Sequence, residues 1–116
     1  GGSGGALALG VGDHVAILEY GTYAVASPEA CASIVWRGSE KAPEAAEAMK
    51  VGASDLKKIN IVDEIIPEPV GGAHQDYDAI SANIKSSLLT NIAELSKFSE
   101  EELLTRRYQR LLKIGA

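Results

Sequence analysis

The chain has 116 residues, 46% of them hydrophobic, which is enough for one domain with a packed core and too apolar for a disordered segment. With 11 Lys+Arg against 16 Asp+Glu the formal net charge is −5, which argues against general binding to nucleic acid or to an acidic membrane surface. One Cys and two His are too few for a disulfide framework or a zinc-ribbon ligand set, and no apolar run approaches the roughly 20 residues of a membrane-spanning helix, so a soluble chain from a reducing compartment is expected.

The chain opens in a glycine cluster, Gly1-Gly2-Ser3-Gly4-Gly5, with no initiator Met, basic n-region or Arg/Ser-rich transit segment. Glycine and serine in this mixture also compose engineered linkers. Ala6-Leu7-Ala8-Leu9 nevertheless continues from the cluster as helix former without a seam. The reading is a glycine turn into a short small-residue helix from Ser3 to Gly10 and, if native, a start part-way through a larger protein. His14–Tyr20 and Tyr23–Ala26, punctuated by Gly21-Thr22, read as two strands around a turn. Ser27-Pro28-Glu29 starts a helix that runs through Cys31 to Trp36: Ser caps the first amides, Pro needs no N–H there, and Glu complements the positive end. Pro43 opens another helix, and Ser54–Lys58 adds a short helical turn. Ile61–Ile66 reads as a strand stopped by Pro67 and Pro69, with Gly71-Gly72-Ala73-His74 as a loop.

Two helices close the chain. In the first, Ile80, Ile84, Leu88, Ile92 and Leu95 recur at spacings of 4, 4, 4 and 3, one apolar stripe. In the second, Ser99 and Glu102 form a capping box, followed by Leu104, Tyr108 and Leu111 on one face. Strands alternating with helices give an α/β class, with about three strands. That is few for an independent sheet, and the second apolar stripe, that of the last helix, needs a cover. Both features suggest part of a larger fold or an obligate partner.

The glycine cluster is the most informative chemical feature. Glycine allows positive φ and close approach of a ligand, while the first amides of the following helix lack internal acceptors and favour an anion or a developing oxyanion. A tight helix–sheet contact would use the same residues. No Gly-Lys-Ser/Thr follows, so the cluster is not a P-loop, and no strand precedes it as a dinucleotide fingerprint requires. Ala48-Met49-Lys50-Val51 is close to a biotin-attachment tetrapeptide, but it ends an Ala/Glu-rich helix rather than a hairpin, so a biotinyl-lysine is not expected. Cys31, among Ala30, Ala32 and Ile34, reads as a small buried hydrophobe. His74 is a better functional candidate than His14, with a loop-stabilising hydrogen bond as the plainer reading. Glu100–Glu102 and Arg106, Arg107 and Arg110 read as charges on an exposed helix, arranged with its dipole. Residue chemistry thus reaches an oxyanion hole without a nucleophile or a base.

These residues resemble a known family. Gly1-Gly2-Ser3-Gly4-Gly5-Ala6-Leu7-Ala8, Gly10-Val11-Gly12-Asp13, Tyr23–Glu29, Cys31–Trp36, Lys41-Ala42-Pro43, Ala45–Met49, Ile65–Pro69, Gly71–His74 and Arg106–Leu111 are similar, in order, to the α subunits of bacterial- and plastid-type acetyl-CoA carboxylase carboxyltransferase. One departure is Ala30, where the family usually reads Gly, a mild change within a helix. The resemblance displaces the linker reading. It implies the C-terminal part of a crotonase-like (ClpP/crotonase) fold of stacked β-β-α units, with residues 1–75 in that domain and 76–116 as a helical extension.

The resemblance further implies a biotin-dependent carboxyltransferase. It would move the carboxyl group of carboxybiotin, borne on the biotin carboxyl carrier protein, to acetyl-CoA, giving malonyl-CoA for fatty acid synthesis. The partners implied are a β subunit in an α2β2 assembly, carrying the zinc that this chain cannot ligate, and biotin carboxylase. Carried over by motif, the amides of Gly4 and Gly5 form the oxyanion hole for carboxybiotin, Gly1, Gly2 and Ser3 shape the turn beside it, and His74 is a further substrate-binding candidate. The setting implied is the bacterial cytoplasm or the plastid stroma. The segment alone, without the rest of α and without β, is expected to be inactive. Two alternatives are a carboxyltransferase for another acyl-CoA such as propionyl-CoA, and a non-catalytic module that docks through the Ile80–Leu95 stripe.

Overall fold

The computed structural model describes residues 1–115, and most element boundaries in it have a local cause. Gly2 sits at φ 91°, ψ 139°, a conformation left to glycine, and the chain turns from it into α1 (Ser3–Gly10). Ser27 Oγ accepts from the Ala30 amide at 3.1 Å and Pro28 takes the first position of α2 (Pro28–Trp36), as the sequence suggests. A 3₁₀ turn at Ser39–Lys41 leads into α3 (Ala42–Met49), and α4 (Ala53–Lys58) follows. Asp76 caps α5 (Tyr77–Leu95) through the Ala79 amide. The capping box of α6 (Glu100–Leu112) is reciprocal: the Glu102 amide donates to Ser99 Oγ at 3.2 Å and the Ser99 amide to Glu102 Oε2 at 2.8 Å.

Among the described residues the sheet has two parallel strands, β1 (Ala16–Leu18) and β2 (Glu64–Ile66), in the register Ala16↔Glu64, Ile17↔Ile65, Leu18↔Ile66. Residues 19–63, with α2, α3 and α4, form the crossover that a parallel pair requires. The protein is therefore mixed α/β, as expected, but richer in helix, with two strands rather than three and both shorter than the apolar runs that contain them.

Tyr23–Ala26, expected as a strand, is not one. The turn at Gly21, whose amide returns to Leu18 O at 2.8 Å, carries this segment away from the sheet. Its backbone bonds go elsewhere: Tyr23 N–H to Val51 O at 3.1 Å, Gly2 N–H to Ala24 O at 3.2 Å, with Thr22 bridged antiparallel to Gly52. The loop expected at 71–74 closes as a 3₁₀ turn at Ala73–Gln75.

The apolar core is small. Leu56 and Ala53 of α4, Val62, Ile66 of β2 and Ile80 of α5 are buried around the strand pair. Ala32 and Ala45 are buried on α2 and α3, which pack together; such small side chains let two helix backbones approach closely. The stripe on α5 is covered only in part: Ile80 is buried, Ile84 and Leu95 are half-buried, while Leu88 and Ile92 remain 57% and 59% exposed. The accessible surface of 7869 Å² exceeds the about 6,100 Å² of a folded monomer of this mass. Likewise the radius of gyration, 16.3 Å, exceeds the about 13 Å of a compact domain of this length.

The apolar face of α6 is left uncovered within the chain, and the expectation of Arg107 and Arg110 as exposed charges is corrected. Leu104, Tyr108 and Leu111 point to solvent, whereas Leu103, Arg107 and Arg110 are turned inward. The arginines are thus structural rather than surface charges. Arg107 donates from Nε and Nη2 to the two carboxylate oxygens of Asp13, both at 2.9 Å. Arg110 donates from Nε to Asp63 at 2.8 and 3.0 Å, from Nη2 to Ile61 O at 3.1 Å and from Nη1 to Gly10 O at 3.4 Å. Asp63 also accepts from the Val15 amide at 2.8 Å, so α6 is fastened to the start of the sheet and the end of α1.

Replacing Arg110 by Met keeps a stem of similar bulk but removes every one of these donors beside a carboxylate that stays half-buried. The expected cost is about 1.5–3 kcal/mol, the scale of hydrogen bonds to charged groups. Lys97→Met, which breaks an exposed pair with Glu94, should stay within about 0.5 kcal/mol of wild type. Denaturant titration of the two variants measures the difference.

Candidate functional site: the glycine end of α1

Gly2 places its amide on Ala24 O and its carbonyl on the Ala6 amide, the latter at 2.7 Å as the first i→i−4 bond of α1. The amides of Ser3, Gly4 and Gly5 stand ahead of that bond with no helical acceptor. All five residues Gly1–Gly5 are exposed, and no acidic side chain lies in the first turn to compete for these donors. The structure thus brings Gly1, Gly2, Ser3, Gly4 and Gly5 together at one helix end. Such an end stabilises negative charge through its amides and its dipole.

Two kinds of glycine flank this helix. A Cβ on Gly10 would lie 2.7 Å from the Tyr23 hydroxyl oxygen, so packing within the chain accounts for that residue. A Cβ on Gly4 or Gly5 would have nothing within 4 Å. Glycine inside a helix costs about 0.5–1 kcal/mol relative to Ala. Among the described residues no packing contact at residues 4 and 5 offsets that cost.

His74 is not brought to the glycines by any side-chain hydrogen bond. It is exposed in the 3₁₀ turn after β2, where the Gln75 amide nitrogen donates to its Nε2 at 3.1 Å, the loop-stabilising role. Lys50 is the left-handed C-cap of α3 at φ 51°, not the tip of a hairpin. Cys31 is half-buried in α2 rather than fully enclosed. No cluster of three or more His, Cys, Asp or Glu able to hold a metal ion occurs among the described residues.

Sequence reasoning missed a second polar feature. His14 Nε2 donates to Glu64 Oε2 at 2.8 Å, and Asn91 Nδ2 donates to the same oxygen at 2.7 Å. This joins the approach to β1, the first residue of β2 and the C-terminal part of α5. The three elements are far apart in sequence, and no local pattern marks them. His14 and Asn91 border an open cleft of about 610 Å³ between α5 and α6, lined also by Asp63, Phe98, Arg106 and Arg110. Arg106 stacks on the Phe98 ring at 4.1 Å from its centroid. Within the cleft Arg110 is paired with Asp63, while Asp13 and His14 are engaged by Arg107 and Glu64 beside it, so it reads as the seam between the helical hairpin and the body.

Burial pushes the Glu64 carboxyl up, but the donors from His14, Asn91 and Ser87 outweigh it and hold the group below its ordinary 4.5. At Asp13 the hydrogen bonds from Arg107 dominate over burial and hold the carboxyl below its ordinary 3.8.

Residues 1–115 match a family profile described as "Acetyl co-enzyme A carboxylase carboxyltransferase-like". Similar curated proteins are each named "Acetyl-coenzyme A carboxylase carboxyl transferase subunit alpha". One from Photobacterium profundum is 60% identical, one from Vibrio vulnificus 59%, and one from Klebsiella pneumoniae 57%. In each case the match covers 99% of this chain and 36% of the relative, so the chain spans about a third of the length of these proteins. No helix among the described residues is long and apolar enough to cross a membrane.

Both lowered carboxyls give stability that is complete above their unfolded values and is lost as pH falls through the folded ones. Stability should therefore decline from about pH 4.5 downward as Glu64 and Asp13 take up protons. Glu64→Gln should flatten the upper part of that acid limb, which thermal midpoints measured between about pH 3 and 6 would register.

Proposed function

The chain belongs to the acetyl-CoA carboxylase carboxyltransferase-like family, and on that premise we propose that it is the C-terminal part of a carboxyltransferase α subunit. In this reading the complete enzyme moves the carboxyl group of carboxybiotin, borne on a biotin carboxyl carrier protein, to acetyl-CoA and so forms malonyl-CoA. The observation that carries the site is the glycine end of α1, with free amides at Gly4 and Gly5 and open space where their side chains would stand. The β subunit, in an α2β2 assembly, would supply the acyl-CoA side and the zinc, and biotin carboxylase would recharge the carrier. The bacterial cytoplasm or the plastid stroma is the setting that goes with this reading.

The residues present fit a ureido oxygen. Biotin supplies a ring whose oxygen gains negative charge when the carboxyl group leaves. Gly4 and Gly5 donate their amide N–H groups toward that position, fixed in advance by the first turn of α1, so no reorganisation is needed as charge develops. Gly1, Gly2 and Ser3 set the path of the turn, and the left-handed Gly2 aims the helix end outward. His74, exposed in its own turn, is at most a peripheral contact to substrate.

The crotonase-like fold and the division at residues 75 and 76 belong to the same proposal. A two-strand parallel ladder, excess surface and a half-covered α5 stripe support a segment completed by other parts of such a fold. The exposed Leu88 and Ile92 also favour a docking role for α5, as a second function or as the alternative to catalysis. Relative turnover of acetyl- and propionyl-CoA would separate the acyl-group readings.

Gly5→Val tests the site directly. Because its Cβ meets no atom of the chain, the variant should fold and assemble, while the branched side chain occupies the approach to the amides. Malonyl-CoA-dependent carboxylation of biocytin by the complete α subunit with its β partner should fall at least about 100-fold. Wild-type turnover in the folded variant would sink the oxyanion assignment. Absence of turnover in a correctly assembled wild-type complex would leave docking as the better account.

A further inference from the structure

Tyr23 stands in the segment expected as a strand and found instead as a tether. Its hydroxyl donates to the carbonyl of Ala6, a buried residue on the second turn of α1. Its own amide is bonded to Val51 O at 3.1 Å, just ahead of α4, and the next residue accepts the Gly2 amide through Ala24 O at 3.2 Å. One short segment thus grips α1 at two places, at Gly2 before the exposed amides and at Ala6 just after them, and is itself bonded to the body. Gly10 completes the arrangement. Any side chain there would meet the Tyr23 hydroxyl oxygen at 2.7 Å, closer than real Cβ contacts come.

We propose that Tyr23 is a positioning residue for the oxyanion hole: its hydroxyl, seated against Gly10, fixes the rotation and tilt of α1 and so the aim of the Gly4 and Gly5 amides. This rests on the carboxyltransferase reading of that helix end. Amide donors stabilise a developing charge only when they are held at the right place, and a misplacement of about 1 Å can cost up to 100-fold. Leu7 and Leu9, on the outer part of α1, are both 68% exposed, so apolar packing within the chain does little to hold the helix. The polar grip of the 22–24 segment therefore carries that task at the amide end, with Arg110 holding the other end at Gly10 O.

The test is a double-mutant cycle in the complete α subunit assembled with β, assayed by malonyl-CoA-dependent carboxylation of biocytin. Tyr23→Phe keeps the ring and loses the grip on Ala6. Gly10→Ala keeps the tyrosine and displaces its hydroxyl. Each should lower kcat/KM for biocytin about tenfold, raise KM for biocytin, and leave KM for malonyl-CoA unchanged. With Phe at 23 the added methyl of Gly10→Ala lies 3.9 Å from the ring carbon, an ordinary contact. The double variant should therefore be no worse than either single one.

Multiplying losses in the double variant, or a wild-type KM for biocytin in Tyr23→Phe, would overturn the proposal. So would a fall in kcat alone that tracks loss of folded complex, since that is the mark of a merely structural tyrosine. Gly5→Val run alongside separates the two levels. If it retains full activity, the oxyanion reading and the tether fall together. If it is inactive while Tyr23→Phe behaves as wild type, the tether alone is wrong.

Discussion

Two guanidinium groups one helical turn apart, Arg107 and Arg110, hold the last helix against the first part of the chain. Apolar packing could not do this, because half of the buried hydrophobic residues are alanines and few large side chains are enclosed. Arg110 fills the gap with geometry rather than area. Its donors reach a carboxylate from the strand entry, the Ile61 carbonyl and the last carbonyl of α1. The planar fork matches these acceptors in a way that a lysine point charge would not.

The same interaction makes the glycine end of α1 intelligible. Arg110 satisfies Gly10 O at the C-terminal end of the helix, and the 22–24 segment holds the N-terminal end. A helix of eight residues is too short to be stable by itself in water. Anchored at both ends, it can keep its first turn exposed and free of side chains. Order in α1 is thus imported from α6 and from the tether, and a helix made largely of glycine, alanine and leucine can present bare amides to a ligand.

How far the sequence could be read follows the range of the interactions. Ser27-Pro28-Glu29 and the Ser99/Glu102 box were legible because a cap is settled within four residues. The glycine turn and α1 were legible for the same reason. Tyr23–Ala26 was misread because Tyr and Val suit a strand, whereas the partners that decide its state, Gly2 and Val51, lie more than twenty residues away on either side. Arg107 and Arg110 read as exposed charges because nothing near them in sequence marks their partners, the long-range carboxylates Asp13 and Asp63, which turn the arginine face inward. His14, Glu64 and Asn91 left no trace in the local pattern at all. Only the spatial meeting of three elements defines them.

The pairing of Arg107 with Asp13 closes a loop of 94 residues. Contacts of such separation pay the largest chain entropy before any reward and so form late in folding. During synthesis, α1 and the strand entry emerge well before the arginines that complete them. Until then Asp13 and Asp63 lack their guanidinium partners, and the last carbonyl of α1 lacks the donor from Arg110. The far anchor of α1 is completed only when α6 arrives, so a product cut short before residue 107 would keep the grip of the 22–24 segment and lose the hold on Gly10 O.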